Sequence, residues 1–139
     1  MHVAVIYFYK NKKELLLKIA RGMAKGIQAQ GHQADIIDGN KEADKSLFIY
    51  KYIVIGVEAI SVFGGKLPVG LMKFLKNASR LAGKRSCAFT NKSLLGSEKT
   101  LSNIMKAMEG EGMFLTYSEI FKDDIYAEEV GKKLIVVRK

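Results

Sequence analysis

The sequence predicts an open α/β domain: a five-stranded, doubly wound parallel sheet with helices on both faces. Three observations predict it. Short apolar runs alternate with helical periods along the whole chain. Five of those runs are continuous rather than alternating, as strands buried on both sides require. The chain has 139 residues, 48% of them hydrophobic, which suits one domain over 1–139 that buries its core without disulfide or metal support.

The predicted strands are Val3–Tyr9, Ala34–Asp38, Tyr52–Val57, Ser86–Thr90 and Met113–Tyr117. Between the first two, Leu16, Ala20, Met23 and Ile27 make an apolar stripe opposite Glu14, Lys18, Arg21, Lys25 and Gln28, and Gly31 suits the end of that helix. Gly22 and Gly26 share one side of it, and close approach to a strand is the expected compensation for their poor helix propensity. A turn or two of helix is expected over Glu42–Ser46. A second full helix is expected over Val69–Leu81, with Leu71, Phe74, Leu75 and Ala78 inward. The third spans Ser97–Glu111, started by Gly96 or Ser97 and buried along Leu101, Ile104, Met105 and Met108. The last covers Asp123–Val137 and buries Ala127, Val130, Leu134 and Val137, with Asp123 and Asp124 placed to suit the positive end of its dipole.

The formal charge is +9, unevenly spread. Residues 1–31 hold Lys10, Lys12, Lys13, Lys18, Arg21 and Lys25 against Glu14 alone, whereas 119–131 are acidic. The basic residues recur at helical spacing, which fits a solvated helix face and also a surface that steers an acidic partner. Nucleic-acid binding through that helix is the weakest reading, because interleaved exposed aromatics and a known nucleic-acid motif are missing. No apolar run approaches the roughly 20 residues of a membrane span, and the N-terminus lacks a basic leader, so a cytoplasmic protein is expected. Cys87, the only cysteine, lies in an apolar run and reads as a buried, reduced thiol.

In a doubly wound sheet ligands sit beyond the carboxyl ends of the strands, where strand order reverses. Under the order 2-1-3-4-5 the loops after strands one, three and four meet there. The first loop, Tyr9, Lys10, Asn11, Lys12 and Lys13, opens a helix with lysines, which oppose the dipole and point to a bound anion or to a solvated turn. The second, Glu58–Pro68, is long for such a unit and carries Ser61, Phe63, Gly64 and Gly65. The third offers Thr90, Asn91, Lys92 and Ser93, short polar groups at a strand end. With only His2 and His32, neither a histidine triad nor a histidine metal site is expected, and a carboxylate site on Asp35, Asp38 and Glu58 has little support. No G-x-S-x-G or Walker loop occurs.

The chain resembles the flavodoxin-like family over nearly its whole length. The resemblance runs through Val5–Phe8, Ile19–Gly22, Tyr52–Gly56, Gly65–Pro68 leading to Lys73–Leu75, Gly83–Lys84 and Gly112–Met113. It implies noncovalent binding of FMN and electron transfer by a flavoprotein, with the flavin doing the redox chemistry and the protein orienting and tuning it. Any activity would then be that of an FMN-dependent carrier or oxidoreductase, not a hydrolase. On the resemblance, Phe63, Gly64 and Gly65 flank the ring, backbone of Glu58, Ala59, Ile60, Ser61 and Val62 meets its edge, and Thr90, Asn91 and Lys92 close the other side. The phosphate falls in the loop Tyr9–Lys13.

That loop departs from the family pattern Ser/Thr-x-Thr-Gly-Asn-Thr. It is about two residues shorter and keeps only Asn11, so the hydroxyls and glycine that wrap a phosphate are gone. The charge departs too, since shuttle flavodoxins are typically acidic, and +9 implies an acidic redox partner or another role. The alternative is a flavin-free flavodoxin-fold module for protein interaction or anion binding.

Overall fold

A computed structural model describes residues 1–60, 65–77 and 81–137. The expected contributions of Ser61, Val62, Phe63, Gly64 and Ala78 lie outside the described residues. The elements run β1 (His2–Phe8), α1 (Lys13–Ala29), β2 (Gln33–Asp38), β3 (Tyr52–Val57), α2 (Val69–Asn77), β4 (Arg85–Asn91), α3 (Ser97–Gly110), β5 (Phe114–Phe121) and α4 (Asp124–Lys133). The strands form one sheet in the order β2-β1-β3-β4-β5, and every pairing is parallel.

Strand pleat divides the core in two, because successive side chains point to opposite faces. Val3, Val5 and Tyr7 of β1 join Tyr52, Val54, Cys87 and Phe89 under Leu16, Ala20, Met23 and Ile27 of α1. Ala4, Ile6 and Phe8 join Ile53, Ile55, Val57 and Ala88 under Leu71, Phe74 and Ile104 of α2 and α3. The central strands are therefore apolar on both faces.

The outer strands are not. β2 and β5 alternate or stay largely accessible, in contrast to the expectation that all five are buried on both sides. Each is an edge with a neighbour on one side only. β5 also runs on to Phe121 instead of stopping at Tyr117, since Ser118–Phe121 continue to pair with Ala88–Asn91. Glu42–Ser46 hold a turn rather than a helix, and just beyond them the Lys84 ammonium donates to the carbonyls of Leu47 and Tyr50.

Two further expectations change. Gly22 and Gly26 abut the backbone of α4, at Asp124 and at Glu128 and Gly131, not a strand. And α4 ends at Lys133: Leu134 is already extended, so the helical period gives way to alternation, with Leu134 and Val136 buried while Ile135 and Val137 are exposed. Gln30 just past α1 secures this exit by donating to the carbonyls of Gly131 (2.7 Å) and Leu134 (2.8 Å). Asp123 caps α4 by accepting from the Tyr126 amide at 2.8 Å. Among the described residues no helix is long and apolar enough to cross a membrane.

Candidate functional site

The order reverses at β1, with β2 on one side and β3 on the other, so the loops after β1 and β3 meet at the carboxyl edge of the sheet. Glu58 is the first residue beyond β3, and its amide still donates to the Phe8 carbonyl (3.0 Å), which extends the β1–β3 ladder by one step. That anchors its backbone beside the loop leading into α1. Its carboxylate turns into the loop. Oε1 of Glu58 accepts the backbone N–H groups of Lys10 (2.8 Å), Asn11 (2.9 Å) and Lys12 (2.8 Å).

Three successive amides converging on one point, at the start of a helix, form an anion-binding concavity. Here the anion is the chain's own carboxylate, and Glu58 is only 2% exposed. Burial of a carboxylate is costly unless it is hydrogen-bonded, and bonds to a charged group return about 1.5–3 kcal/mol each. The side chains of Lys10, Asn11 and Lys12 are exposed; backbone, not lysine charge, makes the seat.

Tyr9 and Lys13 face the other way, toward β2. Tyr9 stacks on Tyr7 with centroids 5.7 Å apart, and its hydroxyl donates to Asp38 Oδ2 at 2.8 Å. Burial first, and then the Asp38 hydrogen bond, push the Tyr9 phenol up to about 12. The Asn40 amide pairs reciprocally with the Tyr9 backbone, accepting its N–H at 3.2 Å and donating to its carbonyl at 2.9 Å. Lys13 spans Tyr9 and Asp38, with Nζ 5.7 Å from the ring centroid and 3.9 Å from Asp38 Oδ2.

Across the edge, Asn91 Oδ1 accepts the Ala59 amide at 2.8 Å, and Thr90 Oγ1 donates to the Val57 carbonyl at 2.6 Å. These bonds tie the tips of β3 and β4 together. Ser97 braces the next loop, accepting from the Ser93 amide (2.8 Å) and donating to the Asn91 carbonyl (3.1 Å). Ile60 is half-buried and Lys92 is exposed, its amide bonded to the Phe121 carbonyl at 2.8 Å. Gly65 lies against α3, with its carbonyl accepting from Asn103 at 2.9 Å.

Of the residues expected at the site, Lys10, Asn11, Lys12 and Glu58 thus share one cluster, and Ala59, Thr90 and Asn91 share a second beside it. Tyr9 and Lys13 belong to the β2 side, Gly65 to α3 and Lys92 to the β5 side. Ser61, Val62, Phe63 and Gly64 lie outside the described residues. Sequence reasoning missed the Glu58 side chain, the Asn40 amide and the Ser97 brace. A signal for Glu58 existed: a carboxylate directly after six apolar strand residues is carried into the interior and must find donors. Among the described residues no trio of His, Cys, Asp or Glu is placed to hold a metal ion. Among the described residues, cavities of about 350 and 430 Å³ adjoin β5, the first near Arg85, Tyr117 and Val130, the second near Lys92, Ile120 and Tyr126.

No family model and no curated protein matches the chain. Solved structures do. A flavodoxin of Streptococcus pneumonia TIGR4 is 16% identical over 94% of this chain and 95% of its own, with a TM-score of 0.73. A flavodoxin from the domain Archaea is 15% identical over 94% of each chain, with a TM-score of 0.66. The Flv1 flavodiiron core of Synechocystis sp. PCC6803 is 18% identical over 95% of this chain and 34% of its own, with a TM-score of 0.68. The fold is therefore flavodoxin-like. The FMN that such a fold implies fails one test here: a phosphate directed to the amides of Lys10, Asn11 and Lys12 meets the Glu58 carboxylate already on them.

Proposed function

We propose that this chain is a small flavin-binding protein that takes part in electron transfer, with the planar ring lodged at the carboxyl edge of the sheet beside the joined tips of β3 and β4. The observation that carries this reading is the reversal of strand order at β1 in a fold shared, over 94% of the chain, with proteins described as flavodoxins. When bound, a flavin supplies one- or two-electron chemistry that side chains lack. The protein's part is to orient the ring, with the Ala59–Asn91 bond setting the spacing of the two loops. At a formal charge of +9 the redox partner is expected to be acidic.

A second reading, a flavin-free interaction module, is favoured by Glu58 filling the anion seat, which takes up the amides that a phosphate or another anion would need. Lumiflavin, the bare ring without a side chain, separates the two. Quenching of its fluorescence by the purified protein at micromolar concentration is expected; no quenching of lumiflavin, riboflavin or FMN overturns flavin binding in favour of the second reading.

A further inference from the structure

We infer that the Glu58 carboxylate is a built-in replacement for the cofactor's phosphate, and that the flavin this chain accepts is of the phosphate-free, riboflavin class. The inference rests on the flavin-binding reading above and sharpens it.

The donors decide the matter. All three amides of the concavity, those of Lys10, Asn11 and Lys12, are spent on Glu58 Oε1 at 2.8–2.9 Å. An incoming phosphate carries close to two negative charges at neutral pH. It would have to expel the carboxylate from these donors, and then sit beside it, because the Glu58 backbone is tethered to Phe8 and cannot carry the charge far away. Glu58 itself is buried, and a like charge placed beside a buried carboxylate is repelled more than it would be in water.

Among the described residues of the loop, compensation is not at hand. The Lys10 and Lys12 side chains extend into solvent, and Lys13 lies over Tyr9 beside Asp38. A riboflavin-type tail ends in a neutral hydroxyl, which needs no dianion seat and meets no repulsion from Glu58. The carboxylate meanwhile holds the loop in the shape that a phosphate would otherwise stabilise, so the loop is ordered before any ligand arrives.

Fluorescence titration of the intact protein with riboflavin and with FMN tests this. Riboflavin is expected to bind at least about tenfold more tightly. FMN binding as tightly as riboflavin, or more so, overturns the inference while leaving the flavin reading intact; failure of both to bind overturns the inference, and the flavin reading falls with it when lumiflavin also fails. Glu58→Ser, which empties the concavity, should reverse the preference, and inorganic phosphate should then raise the melting temperature of the variant but not of the parent protein. An unreversed preference, or equal phosphate effects, also overturns it. Should Glu58→Ser fold poorly, Glu58→Gln keeps an oxygen acceptor for the amides without the charge. It is expected to narrow the discrimination, and undiminished discrimination would show that the charge is not its cause.

Discussion

Gly131 of α4 lies so close to Gly26 of α1 that a Cβ built on it would stand 3.1 Å from the Gly26 Cα and 2.5 Å from the Met23 carbonyl oxygen. The two helices touch backbone to backbone on one face of the sheet, and glycine is the only residue that permits it. The interface also carries ion pairs between exposed lysines and partly exposed carboxylates, Lys18 with Asp124 and Lys25 with Glu128, which contribute little beside the close packing.

This contact predicts opposite outcomes for the same substitution at two helical glycines. Gly131→Ala should destabilise by about 1–3 kcal/mol, the range for overpacking a close contact, despite the better helix propensity of alanine. Gly110, at the end of α3, has open space around its missing Cβ, and Gly110→Ala should be neutral or stabilise by up to about 1 kcal/mol. Urea unfolding of the two variants gives the comparison.

The lysines at the start of α1 bind nothing through the seat itself, since the amides do that work. Replacing Lys10 and Lys12 together by alanine should change stability by no more than about 0.5 kcal/mol, as for other exposed side chains. Lys13→Ala should cost up to about 1 kcal/mol, because its partly exposed ammonium contacts Asp38 and the Tyr9 ring. A large loss from the double variant would mean that lysine charge holds the loop.

Tyr9 gives an alkaline signature. Its folded value is pushed up to about 12 from an ordinary 10, so between those limits the unfolded chain loses the proton while the folded chain keeps it. Stability from this group is complete below pH 10 and disappears as pH rises through 12. Tyr50, bonded to Asp35 at 2.8 Å and also raised to about 12, behaves alike. Tyr9→Phe should reduce the stability difference measured between about pH 9 and about pH 11. The tyrosinate absorbance of the parent protein should show late-titrating phenols absent from the unfolded chain.

Cys87 should be inert in the folded protein. It is wholly buried in β4, and burial pushes its thiol up, so thiolate is scarce and inaccessible. Labelling by a disulfide reagent should be slow in native buffer and fast in denaturant, and rapid native labelling would show that β4 opens locally.

Most of the sheet was legible because it rests on local pattern. Continuous apolar runs such as Tyr52–Val57 mark buried strands wherever their neighbours are, and the stripe Leu16, Ala20, Met23 and Ile27 marks the buried side of α1. The misreadings fall where locality ends. The period of α4 reads on to Val137 because alternation in Leu134–Val137 and a helical stripe share some positions. The partner of Gly22 and Gly26 could not be read from α1, since it is a helix about a hundred residues further on.

The sequence alone determined the number of strands and the faces that the helices bury, because each follows from the spacing of apolar residues within a short stretch. Only the tertiary structure decided what the phosphate loop holds. Glu58 and the amides of Lys10, Asn11 and Lys12 are 46–48 residues apart, and they meet because β1 and β3 are neighbours in register. A hydrogen bond reaches about 3 Å, so the fate of a charged group depends on which distant donors the fold delivers to it.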